Sequence, residues 1–177
     1  MDKTMRKFLH DVVAEILDLE GNRVIWRNQD APKMPNPIVA LFVYSLDGQA
    51  MPDYRPSKEE GKALVYVPTD AVLEVQMFDK RGEFPVDKLE NLVRTLETPD
   101  YVDLCSQNGV AFFDSEPIQD VTALLSNEQQ FEPRAAVDLH FRYTEITTAH
   151  VGEIRTVNVN GKTDERALDF SVSVESE

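Results

Sequence analysis

Residues 134–144 read Arg-Ala-Ala-Val-Asp-Leu-His-Phe-Arg-Tyr-Thr, and this stretch decides the fold class. Ala135, Val137, Leu139, Phe141 and Tyr143 take one parity, and Asp138, His140, Arg142 and Thr144 the other. That period of two is the pattern of a strand with one face in a core and one in solvent. Leu73, Val75 and Met77 alternate with Glu74 and Gln76 in the same way upstream. Other strands are expected at Arg23–Arg27, Ile38–Leu46, Lys62–Val67, Ala71–Asp79 and Val110–Phe113. Pro68-Thr69-Asp70 is read as a break between two of them, and Asp47-Gly48 as a turn. Ile154–Val159, Asn160-Gly161 and Leu168–Val174 suggest a C-terminal β-hairpin with a loop longer than two residues. Val121–Leu125 is apolar and of no definite type.

Three helices frame these strands. Over residues 3–20, Phe8, Leu9, Val12, Val13, Ile16, Leu17 and Leu19 recur at spacings of three and four, and Gly21 follows where a left-handed cap is expected. Pro85 opens a second helix with Leu89, Leu92, Val93 and Leu96 on one face. Thr98-Pro99 ends it and opens a third, which Asn108-Gly109 closes. The order predicts an α+β fold, a mostly antiparallel sheet with helices packed on one face. One domain over residues 1–177 is expected, with an arm-like loop at 49–61 and the hairpin at 151–174.

Composition narrows the function classes. The formal charge is −14. Residues 1–80 hold 10 Lys/Arg against 13 Asp/Glu, and residues 81–177 hold 8 against 19, so the second half carries a balance of −11. DNA binding by counterion release needs clustered cations, which this pattern does not offer. No apolar run approaches the roughly 18 residues of a membrane span, and no secretory leader is read at the start, so no membrane role is expected. The lone Cys105, among Tyr101, Val102 and Leu104, is read as a core residue.

No chemistry stands out. The seven glycines form neither a GxGxxG nor a Walker pattern. His10, His140 and His150 lack zinc-ligand spacing. Asp114, Glu116 and Asp120 form an acidic group without a calcium-loop pattern. No catalytic residue, metal or cofactor is expected. Trp26, Tyr44 and Tyr54 flank the prolines Pro32, Pro35 and Pro37 and the polar stretch after them, where they suit either plain packing or interface anchors.

Several segments, in order, resemble the phage neck terminator family, also called tail terminator or tail completion proteins. They are Val24-Ile25-Trp26 with Asn28-Gln29, Ala31-Pro32, Pro35 and Pro37; Leu73–Asp79; Leu92–Pro99; Gly109–Phe112; Asp120–Leu125; Arg134–Asp138; and Val151–Ile154. Met51–Gly61 and the chain beyond Gly161 fit less well. The resemblance implies a non-enzymatic virion protein of the tail and neck. It would form a homo-oligomeric ring, usually a hexamer, that caps the tail tube and stops its growth. Its partners would be the tail tube protein and the head-completion or connector protein, with sheath protein as a further candidate and DNA passing through the lumen. Subunit contacts are expected from Trp26, Tyr44, Tyr54, Arg55, Ile154, Val157 and Val159. The competing reading is an acidic DNA mimic that inhibits a host nucleic-acid-binding protein.

Overall fold

The computed structural model describes residues 1–28, 34–48, 51–59, 61–125, 130–151, 156–162 and 167–173, with backbone alone at 45–46, 130, 156–162 and 167–173. By contacts the chain divides into two compact units, Met1–Pro52 with Val67–Glu145, and Asp53–Tyr66 with Ile146–Glu177.

The first unit is an α+β layer pair. Its helices are α1 (Lys3–Ile16), α2 (Pro85–Leu96) and α3 (Pro99–Gln107). Its main strands are β1 (Val24–Trp26), β2 (Ile38–Gly48), the later part of β4 (Lys62–Phe78), β5 (Val110–Ser115) and most of β9 (Arg134–His150). They run in the order β1-β2-β4-β9-β5, and the two-residue β6 (Gln119–Asp120) pairs with β9 beyond β5. β1 is parallel to β2, whereas β2–β4 and β9–β5 are antiparallel. Asp79 bonds Pro133 and Asp70 pairs with Arg142, so β4 and β9 also run in opposite directions. β7 (Ala123–Leu125) and β8 (Gln130–Glu132) form a separate small ladder, which gives the apolar patch at 121–125 its type.

The alternation read from sequence sets the core. Val39, Leu41, Leu73, Val75, Met77, Val137, Leu139 and Phe141 are buried together with Leu9, Val12, Val13, Leu89 and Leu92 from the helices. Cys105 is buried in the same cluster, and burial pushes its thiol pKa up, away from a reactive thiolate.

Three local expectations change in this unit. Helix α1 ends at Ile16, short of Gly21. Asp18 takes the left-handed position (φ 51°), Asp18 N–H bonds Glu15 O, and Leu19 N–H bonds Ala14 O. This is a Schellman stop in which an aspartate stands where glycine is usual. Pro68 does not break the chain into two strands: β4 runs unbroken for 17 residues. On this side, β3 (Asp53–Pro56) pairs β4 as far as Tyr66, and β2 pairs it from Thr69. Pro68 lies in the gap, where its missing N–H costs no ladder bond. Asp47-Gly48 is strand, opposite Asp70 and Thr69 after a bulge.

In the second unit, part of the expected arm is strand β3, paired to residues 63–66. The unit also holds the hairpin of β10 (Thr156–Lys162) and β11 (Ala167–Ser173). Asn160-Gly161 is not its turn. Those residues pair with Asp169 and Leu168 inside the ladder, which closes at Lys162↔Ala167.

Candidate assembly surface

The sheet face of the first unit that points away from the helices is polar and aromatic, because its even-numbered positions on β4 and β9 include Asp70, Glu74, Gln76 and Phe78, and Arg134, Asp138, His140 and Arg142. Its arginines share one arrangement, each between a carboxylate and a ring. Arg27 donates to Glu74 at 2.9 Å and lies over Phe42 at 5.4 Å. Arg142 makes a forked pair with Asp70 (2.5 and 2.8 Å) and lies 5.8 Å from the Phe113 ring. Arg134 pairs with Glu132 and covers Phe78 at 5.0 Å. Held on both sides, a guanidinium loses less freedom when a partner arrives, and Arg, Tyr and Phe are the residues that interface cores favour. The Arg142 hydrogen bond holds the Asp70 carboxyl below the usual range. Tyr44 stacks near Phe42 and donates to Asp138 at 2.6 Å. That bond, with burial, pushes the Tyr44 phenol up to about 12.

Two grooves lie at the ends of the strand order. Beside β1, the stripe Lys3, Arg6, Lys7 and His10 of α1 faces Trp26 across a groove of about 540 Å³. Arg6 sits over the Trp26 ring at 5.5 Å. His10 Nε2 donates to Gly21 O and Val24 O, both at 3.0 Å, and ties β1 to the helix. Beside β5, a groove of about 250 Å³ is lined by Val93, Leu96, Val102, Phe112, Phe113 and Leu139, with Glu97 and Asp114 at its rim. The ladder shifts between Phe112 and Asp114, so Phe113 is the extra residue of a bulge and stands 56% exposed.

The expected interface residues do not form one patch. Trp26 pairs with Leu41 and shares the helix side of the sheet, while Tyr44 lies on the opposite face. Tyr54 and Arg55 belong to the second unit, where Tyr54 is exposed and Arg55 pairs with Asp53 and covers Tyr66 at 4.5 Å. Val157 and Val159 sit on β10 opposite Val172 and Phe170. Ile154 lies outside the described residues. The arginine-ring pairs, the Phe113 bulge and the basic stripe were not singled out from sequence. The stripe carried a signal, since Lys3, Arg6, Lys7 and His10 follow helical spacing.

The acidic group singled out from sequence is not brought together. Asp114, Glu116 and Asp120 do not converge: Asp114 accepts from Ser115 N–H, Asp120 accepts from Thr122 N–H, and Glu116 faces His140 at 3.4 Å. No acidic, histidine or cysteine group suited to a metal occurs among the described residues. None of the described helices is long and apolar enough to cross a membrane.

Comparison with curated proteins finds no match. A family model described as phage neck terminator protein matches residues 3–166, all but the two ends of the chain.

Proposed function

The chain belongs to the phage neck terminator family, a family of structural proteins of the virion neck, and on that premise we propose that it assembles as a ring, of six subunits, on the end of the tail tube. The ring stops tube growth and offers its far side to the head-completion or connector protein, with sheath protein as a further neighbour. DNA passes through the lumen without specific recognition. The whole chain works as one assembly part, with no catalytic residue.

The observation that carries this reading is the family match across nearly the full chain. Charge supports the lumen: at −14, with a balance of −11 in residues 81–177, the acidic surplus repels phosphates and lets DNA slide. The interface residues expected from sequence fit a subunit spread over several contacts. Trp26 and Tyr44 serve the first unit, and Tyr54, Arg55 and the β10–β11 hairpin the second. A DNA mimic needs an unbroken acidic face, whereas Arg27, Arg134 and Arg142 interrupt the open sheet face.

The test is a capping assay. Tail tube protein polymerised with this chain is expected to give tubes of arrested length with density at one end. Tubes that grow on unchanged, with no protein at their ends, would overturn the proposal.

A further inference from the structure

The two ends of the strand order in the first unit carry opposite charge. No Lys or Arg occurs from Thr95 to Pro133, a segment with eight carboxylates: Glu97, Asp100, Asp103, Asp114, Glu116, Asp120, Glu128 and Glu132. Those from Glu97 to Asp120 lie on or beside α3, β5 and β6 and so form the β5 end, whereas Glu132 on β8 lines a groove with Ile25 and Arg27 beside β1. The groove at the β5 end presents Glu97 and Asp114 around apolar walls, with Val102 51% and Phe113 56% exposed. At the β1 end, Lys3, Arg6, Lys7 and Trp26 line the other groove, with Asp11 as its one carboxylate. Lys7 pairs with Asp11, but Lys3 and Arg6 make no ion pair among the described residues.

β1 and β5 are separated by four strand spacings, roughly 19 Å, so one copy cannot bring its two grooves together. Two copies can. We infer that the acidic rim beside β5 of one copy docks into the basic groove beside β1 of the next, with Val102 and Phe113 set against the Trp26 side. The contact joins different surfaces of the same chain, so it is heterologous, and it closes into a ring when the rotation between copies allows. It rests on the ring reading above and names the surfaces that make the ring. It also moves part of the acidic surplus, the carboxylates of α3 and β5, from the lumen to the subunit boundary. Opposed charge at this boundary speeds encounter and fixes which edge meets which.

The test is charge exchange. One variant carries Lys3→Glu and Arg6→Glu, and another carries Glu97→Lys and Asp114→Lys. All four positions are exposed, and circular dichroism checks that both variants are folded. Native mass spectrometry then follows assembly against concentration. Each variant alone is expected to need at least ten times the wild-type concentration to assemble. An equal mixture is expected to recover assembly as rings of alternating copies, since every boundary then joins opposite charges. Variants that assemble like wild type, or a mixture that stays monomeric while wild type forms rings, would refute the edge assignment and leave the ring reading standing. Wild type that is monomeric even with tail tube protein would remove the ring reading and this one with it. Loss of duplex DNA binding in the first variant, with assembly unchanged, would make the basic groove a phosphate site and also overturn the inference.

Discussion

Replacing Lys88 by Met tests how the first unit is tied together. Asp79 directly follows β4 with its side chain 1% exposed, and Lys88 of α2 reaches it at 2.7 Å. The other carboxylate oxygen accepts from Lys80 N–H at 2.8 Å. The backbone of the same residue bonds Pro133 O and the Asn36 side chain, so one position joins β4, the start of β9, the chain before β2, and α2. Lys88→Met leaves a buried carboxylate with one backbone donor. Breaking a fully buried pair costs about 3–5 kcal/mol. The Lys88 side chain is 37% exposed and also serves Glu83 at 3.1 Å, so its attraction is screened and shared. After that discount the loss is about 2 kcal/mol, or roughly 4–8 °C in melting temperature for a chain of this size. Adding Asp79→Asn removes the stranded charge, so the double variant is expected to be more stable than Lys88→Met alone. Urea and thermal melts followed by circular dichroism at neutral pH measure this. A Lys88→Met loss below about 0.5 kcal/mol, or a double variant at the sum of the single losses, would refute the reasoning. The pair also has an alkaline signature. Burial pulls the Lys88 pKa down, but hydrogen bonds to Asp79 and Glu83 outweigh it and leave the pKa raised. Folded protein therefore keeps this proton longer than unfolded chain. The contribution is complete below about pH 10.4 and is lost as pH rises through the folded value. Lys88→Met is expected to remove that part of the alkaline loss.

Phe141 is 0% exposed at the centre of β9, and Phe141→Ala is expected to lower stability by about 3–5 kcal/mol, read from the urea midpoint. Tyr44 has its phenol raised to about 12, so between its ordinary value near 10 and 12 the unfolded chain ionises first and stability falls as pH rises. Tyr44→Phe is expected to flatten that segment of the stability profile. His10→Ala removes the donor shared by Gly21 O and Val24 O, and a loss of about 1–2 kcal/mol is expected. Hydrogen exchange should quicken at Val24–Trp26 in this variant while the amides of β4 keep their protection.

Strong periodicity was the legible part of the fold. The alternation through Phe141 placed β9 and its buried parity correctly, and Pro85 and Thr98-Pro99 marked the starts of α2 and α3. Punctuation misled where tertiary pairing overrode local propensity. Pro68 sits in a strand because the ladders on that side stop at Tyr66 and resume at Thr69. Asn160-Gly161 sits in a strand because the register of β10 with β11 closes one residue later, at Lys162↔Ala167. Asp18 took the cap position expected of Gly21. The surface was harder to read than the core. Trp26 and Tyr44 are both prominent aromatics in the sequence, yet strand parity sends them to opposite sides of the sheet. The opposed charge of the two ends needed the strand order, since the residues concerned lie about 90 positions apart in the chain and the order sets β1 and β5 at the two limits.

The central claim is that this chain works by closing into a ring. Negative-stain imaging of the purified protein, alone and with tail tube protein, tests it most directly. The account predicts closed rings with a stain-filled lumen, six subunits around, and the same rings seated on tube ends. Single small particles in both samples, with bare tube ends, would contradict it.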